Sequence, residues 1–152
     1  MSIPLAVATK ICDSVVNQAL AKGWGPVCVH VVDAAAQPIA MQRMDGVALA
    51  YSSYSSAKAN TCVLLGMNPR VFRDKYASGD PAKMLQATSM IASMKGTICA
   101  FPGGVLLRSQ DEKIVAAVGV SGASSDQDEW LALSAARLHW EGPTSPSSSP
   151  LD

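Results

Sequence analysis

Charge is scarce in this chain. Charged residues make up 16% of its 152 positions, against roughly 25% in an average soluble domain. The 12 basic and 12 acidic side chains cancel, so no field of one sign would gather nucleic acid or an anionic membrane surface. Neither partner is expected. Aromatic residues are also rare, at 5%, while apolar residues reach 49%. The interior must therefore be filled by small aliphatic side chains. Histidine occurs twice and the four cysteines form no CxxC pair, which removes the usual frames of a zinc knuckle or redox dithiol. No metal site is expected. Cys12, Cys28, Cys62 and Cys99 read as free, mostly buried thiols in a reducing compartment. The first residues lack the basic start and apolar run of a secretory leader. No apolar stretch approaches the ~20 residues that span a bilayer. A cytoplasmic location is the expectation.

What is present is a well-punctuated pattern. Leu5, Ala8, Cys12, Val15, Ala19 and Leu20 recur at helical spacing, with Ser2 placed to cap the helix and Gly23 to close it. The β-branched run at residues 27–33 and the segment 39–44 predict an antiparallel hairpin. A second helix is expected over 47–65, capped by Asp45 and ended by Gly66. Shorter helices are expected over 69–76 and 81–91. Strands follow at 105–108 and 114–121, and a last helix begins after Ser125. The uncharged 114–121 run suits a central strand. This order predicts an α+β domain, with a mainly antiparallel sheet of about five strands flanked by helices. Its expected span is residues 1–141. Residues 142–152 are rich in Pro and Ser and predict a disordered tail. The uncharged stretches 46–57 and 114–125 exceed what one small core hides, so a homo-oligomer is expected.

Four groups of residues could carry chemistry. Arg43 and Asp45 sit at a strand-to-helix junction, where ligand sites often lie, although the spacing alone favours a helix cap and its surface partner. Tyr51, Tyr54, Lys58, Thr61 and Leu65 share one helix face, so Lys58 either snorkels to a rim or lines a pocket. Gly103 and Gly104 permit close approach to backbone N–H groups. The loop at 119–125 leads into a helix whose positive end Asp126, Asp128 and Glu129 already occupy. His30, within an apolar strand, reads as structural, and no catalytic triad can be drawn, so catalytic residues stay unassigned.

Taken in order, Val31-Val32-Asp33, Arg43-Met44-Asp45-Gly46, Ser56-Ala57-Lys58-Ala59, Phe101-Pro102-Gly103-Gly104 and Gly119-Val120-Ser121-Gly122-Ala123 resemble the GlcG/HbpS family. That family includes the carboxyl-terminal domain of PduO-type corrinoid adenosyltransferases. The resemblance implies a profilin/PAS-like sheet with flanking helices, tetrameric to octameric assembly, and haem as the cofactor. It carries a ligand-binding role onto Arg43, Asp45, Lys58, Gly103 and Gly104, and Tyr54, on the helix face of Lys58, is expected to join them. Two departures stand out. Leu106 replaces the proline that usually follows the glycine pair, and the first helix lacks the haem-ligating histidine of PduO-type domains. Three readings follow. The chain binds, or helps degrade, haem. Alternatively it is an enzyme on a small organic acid, with Lys58 and Arg43 gripping the carboxylate while Asp45 or Asp33 moves a proton. In the third it is an accessory domain for corrinoid handling.

Overall fold

The computed structural model describes residues 2–76 and 79–152. Helix α1 (Leu5–Lys22) buries Ala8, Cys12, Val15 and Ala19 of the expected stripe together with Ile11. The stripe's end members Leu5 and Leu20 are exposed, because they lie at the two ends of the helix beyond the sheet it covers. Its N-cap is Pro4, whose carbonyl accepts from Ala8 N at 3.0 Å with no side-chain cap. The cap expected of Ser2 is absent, because Ser2 lies two positions before the N-cap and proline has no side-chain acceptor. Gly23, at φ 67°, ends the helix as expected.

Strands β1 (Cys28–Asp33) and β2 (Pro38–Arg43) form the expected hairpin. Asp33 holds its turn by accepting from Ala35 N at 2.8 Å and Gln37 N at 2.9 Å. β1 shows strand alternation: Val27, Val29 and Val31 join the core under α1, while Val32 joins the smaller core on the opposite face. Helix α2 (Leu49–Leu65) lies across that opposite face. It begins at Leu49 behind Ala48, and no side chain caps it. Asp45, expected as the cap, falls too early. The chain first turns through Gly46 at φ 82°, where Val47 N donates to Met44 O.

Helices α3 (Pro69–Tyr76) and α4 (Pro81–Ser93) follow. α4 buries none of its residues and packs on α3. Strands β3 (Gly104–Arg108) and β4 (Ile114–Ser121) come next. Helix α5 (Ser125–His139) then starts with a full capping box between Ser124 and Gln127. The sheet is antiparallel throughout, in the order β2-β1-β4-β3-β5, so β4 is central as its composition predicts. α1 and α5 cover one face and α2 the other, which makes an α+β fold.

The fifth strand corrects the expectation of a disordered tail. β5 (Thr144–Ser145) pairs with Leu107 and Leu106 of β3. Arg108 N donates to Pro143 O at 2.9 Å, and Asn68 Nδ2 to Ser145 Oγ at 3.2 Å. The Arg137 guanidinium binds both carboxylate oxygens of Asp152 at 3.2 Å and also donates to Ser147 O. Little apolar surface is buried. Backbone pairing and one bidentate ion pair hold the segment instead. Truncation after Glu141 should therefore lower stability by about 2 kcal/mol, or roughly 4–8 °C in melting temperature. An unchanged circular-dichroism melt would show that the segment contributes nothing.

Candidate functional site

Lys58 comes from the middle of α2 and is 3% exposed. Its Nζ donates to Val120 O at 2.9 Å, Asp128 Oδ2 at 3.0 Å and Ser121 Oγ at 3.4 Å. An ammonium has three N–H donors, and all three are used here. Asp128, in the first turn of α5, also accepts from Ala123 N at 2.9 Å. Burial pushes its carboxyl upward, while Lys58 pulls it back down. The double-glycine turn presses directly on this pair. A Cβ at Gly103, φ 138°, would lie 2.8 Å from Lys58 Nζ; one at Gly104 would lie 2.6 Å from Lys58 O. The lysine and the glycines do meet, as the sequence suggests. They meet as packed protein, and the ligand pocket expected between them is filled by their own atoms.

A second ion pair adjoins the first. Arg70, at the start of α3, donates from Nε to Glu129 Oε2 at 3.0 Å and from Nη2 to Asp126. Burial raises the Glu129 carboxyl, opposed by Arg70. Asp128 and Glu129 thus fasten the start of α5 to α2 and α3. One buried pair and one half-buried pair hold these elements together, and Lys58, Asp128, Arg70 and Glu129 are each spent on a partner.

The remaining expected residues lie elsewhere. Arg43 ends β2, the edge strand, and Asp45 follows it; both are exposed. Asp33 is spent on the hairpin turn. Tyr54 is 48% exposed and meets Tyr51 edge to face, with ring centroids 6.1 Å apart. Thr61 is buried, bonding Ala57 O at 2.7 Å and Cys99 N at 2.9 Å. The carboxylate grip expected of Lys58 with Arg43 is not assembled, because the lysine is internal and the arginine is on an edge.

Asp45 lines a cleft of about 300 Å³ with Leu20, Gly25 and Met44, and the two histidines line the others. His139, the last residue of α5, lines three adjoining clefts of about 320, 520 and 370 Å³. Val7 and Lys10 of α1, Leu138 and Trp140 form their walls. His30 projects from β1 toward α2, with Nδ1 2.7 Å from Ser55 Oγ. Burial lowers its pKa, favouring the neutral ring. A cleft of about 330 Å³ opens beside it. The only sequence signal for either was rarity, since a chain with two imidazoles places each in a definite environment.

A family model described as haem-degrading protein HbpS-like matches residues 3–137. The chain belongs to the HbpS-like family. It is 34% identical over 136 residues to a 15.0 kDa protein of the dhaT–dhaS intergenic region of Citrobacter freundii, covering 88% of this chain and 89% of that one. Among solved structures, the PduOC:heme complex superposes with a TM-score of 0.78 at 24% identity, covering 89% of this chain and 93% of the other. The crystal structure of HbpS gives 0.75 at 24% identity, with 91% and 90% covered. Both share the fold.

In this HbpS-like chain, the motifs that carry the resemblance mark the architecture more than a ligand. Ser56-Ala57-Lys58-Ala59, Phe101-Pro102-Gly103-Gly104 and Gly119-Val120-Ser121-Gly122-Ala123 converge on the junction of α2, the sheet and α5. Gly119 lies so close under α2 that a Cβ there would come within 2.0 Å of Ser55 O.

Proposed function

We propose that this HbpS-like protein binds haem or a closely related tetrapyrrole, as an oligomer, in the cytoplasm. The carrying observation is the groove at His139. There an imidazole with no hydrogen bond to protein among the described residues stands beside the apolar walls of Val7, Leu138 and Trp140. These residues fit the group. His139 would offer a nitrogen to iron, Val7 and Trp140 would supply apolar contact, and the Lys10 ammonium would suit a propionate. Bound haem would supply the redox and oxygen chemistry; the chain supplies orientation and an apolar wall. The histidine lacking from α1 is offset by one that α5 carries to the face of α1. The oligomer reading rests on Leu49, Leu85 and Phe101, which are 77%, 68% and 62% exposed. The cytoplasmic setting accords with four free, buried cysteines.

Titrating the protein with haem and following Soret absorbance tests the reading. Wild type and His30→Ala should bind alike, and His139→Ala should bind about tenfold more weakly or worse, ~1.4 kcal/mol or more. No Soret change in wild type would end the proposal, and equal binding by His139→Ala would remove the assigned ligand. Light scattering on the same samples should give a multiple of the 15.8 kDa chain; the single-chain mass would refute the oligomer.

A further inference from the structure

The cleft beside His30 has a chemistry of its own. It is lined by His30 of β1, by Ser52, Ser53, Ser56 and Asn60 of α2, and by Thr97 of the segment before β3. Ser55 Oγ donates to Ser52 O at 3.0 Å and lies 2.7 Å from His30 Nδ1. A hydroxyl has one proton. With that proton on Ser52 O, the histidine donates from Nδ1 and Nε2 is a bare acceptor; with it on Nδ1, Nε2 carries the ring proton, and a hydroxyl can meet either form. Nε2 has no hydrogen bond to protein among the described residues. A second group is also unfulfilled: Asn60 Oδ1 is buried with no hydrogen-bond partner, while its Nδ2 reaches Ser56 Oγ only at 3.5 Å. Such atoms are rare in folded proteins, because an unpaired buried acceptor forfeits the hydrogen bonds that water gave it.

The lining also selects by exclusion. No lysine or arginine lines the cleft to balance an anion, and no carboxylate lines it to balance a cation. The nearby ammonium of Lys58 is spent on Val120, Ser121 and Asp128. Its walls carry hydroxyls and an amide, which suits neither an apolar ring nor a lipid chain. We infer that the cleft between β1 and α2 binds a small neutral molecule bearing two or more hydroxyl groups, with His30 Nε2 and the side-chain amide of Asn60 as its polar partners. A hydroxyl both donates and accepts, so the serine hydroxyls of the rim take up the same ligand. The site is distinct from the His139 groove, and neither depends on the other.

The test uses the full chain labelled with nitrogen-15 and reads the two histidine rings by long-range proton–nitrogen correlation. Glycerol is the neutral probe; lactate, of similar size but anionic, is the comparator. Glycerol should move His30 Nε2 along a saturating curve and leave His139 still. Lactate should produce no saturating change. Asn60→Leu, which keeps the side-chain size, should weaken glycerol about tenfold. Ser56→Ala, on the rim, should weaken it less and guards against a folding defect in the first variant. A linear drift shared by both rings would overturn the inference. So would lactate binding tighter than glycerol, or an Asn60→Leu variant that is folded by its spectrum and titrates like wild type.

Discussion

Lys58→Met should destabilise the protein by about 3–5 kcal/mol, the usual result of removing one partner of a buried ion pair. At this chain length that is roughly 6–20 °C in melting temperature. The methionine fills most of the stem volume, so the loss comes from what stays behind. Asp128 would remain buried with its Ala123 N–H bond but without its cation. The deficit should depend on pH. Burial already raises the Asp128 carboxyl, and Lys58 is the main group opposing that rise, so the variant raises it further. An acid whose folded pKa lies above its unfolded value of ~3.9 takes up a proton on folding. Its stabilising effect is complete below the unfolded value and is lost as pH rises through the folded one. Urea unfolding should therefore show the largest deficit at neutral pH and a smaller one as pH falls toward 4. Lys58→Met combined with Asp128→Asn should recover most of the loss. A deficit independent of pH would place the effect outside Asp128.

The second large effect is expected at Gly119→Ala. The added methyl would stand 2.0 Å from Ser55 O and 2.7 Å from Ala59 N, both backbone atoms of α2. A side chain can swing aside, but a helix backbone must move as a body. The cost should sit at the upper end of the overpacking range, about 3 kcal/mol, or roughly 6–12 °C. Gly46→Ala is the control. Its φ of 82° strains a side chain, yet nothing lies within 4 Å of the added Cβ, so only about 1–2 kcal/mol is expected. If thermal melts of the two variants coincide, close approach of α2 is not what Gly119 serves.

Local patterns were read well from the sequence. The middle of the α1 stripe, the hairpin, the central β4 and the meeting of Lys58 with the glycine pair all follow from spacing and residue type, whereas Leu5 and Leu20 at the stripe's ends are exposed. What escaped was set by residues far apart in the chain. Whether Lys58 faces a ligand or Asp128 turns on a partner 70 positions away, and helical periodicity says only that it faces inward. The His139 groove is made jointly by α1 and the end of α5. Asp45 has the chemistry of a cap, but Gly46 and Val47 turn the chain before the helix starts. Composition misled at residues 142–152. A Pro/Ser-rich segment cannot build a core, yet it can still donate and accept backbone hydrogen bonds.

The two-residue β5 has a further consequence. A sheet with open sides invites other chains to add strands, and β3 is the dangerous side, since Gly104–Leu107 is buried and apolar. β2 guards its own side with exposed Pro38 and Arg43. On the β3 side, the carboxyl-terminal segment, clamped by Arg137 to Asp152, occupies the backbone of Leu106 and Leu107. The segment covers that edge, so proteolytic trimming of these last residues should leave the β3 backbone open to pairing with a strand of a neighbouring chain.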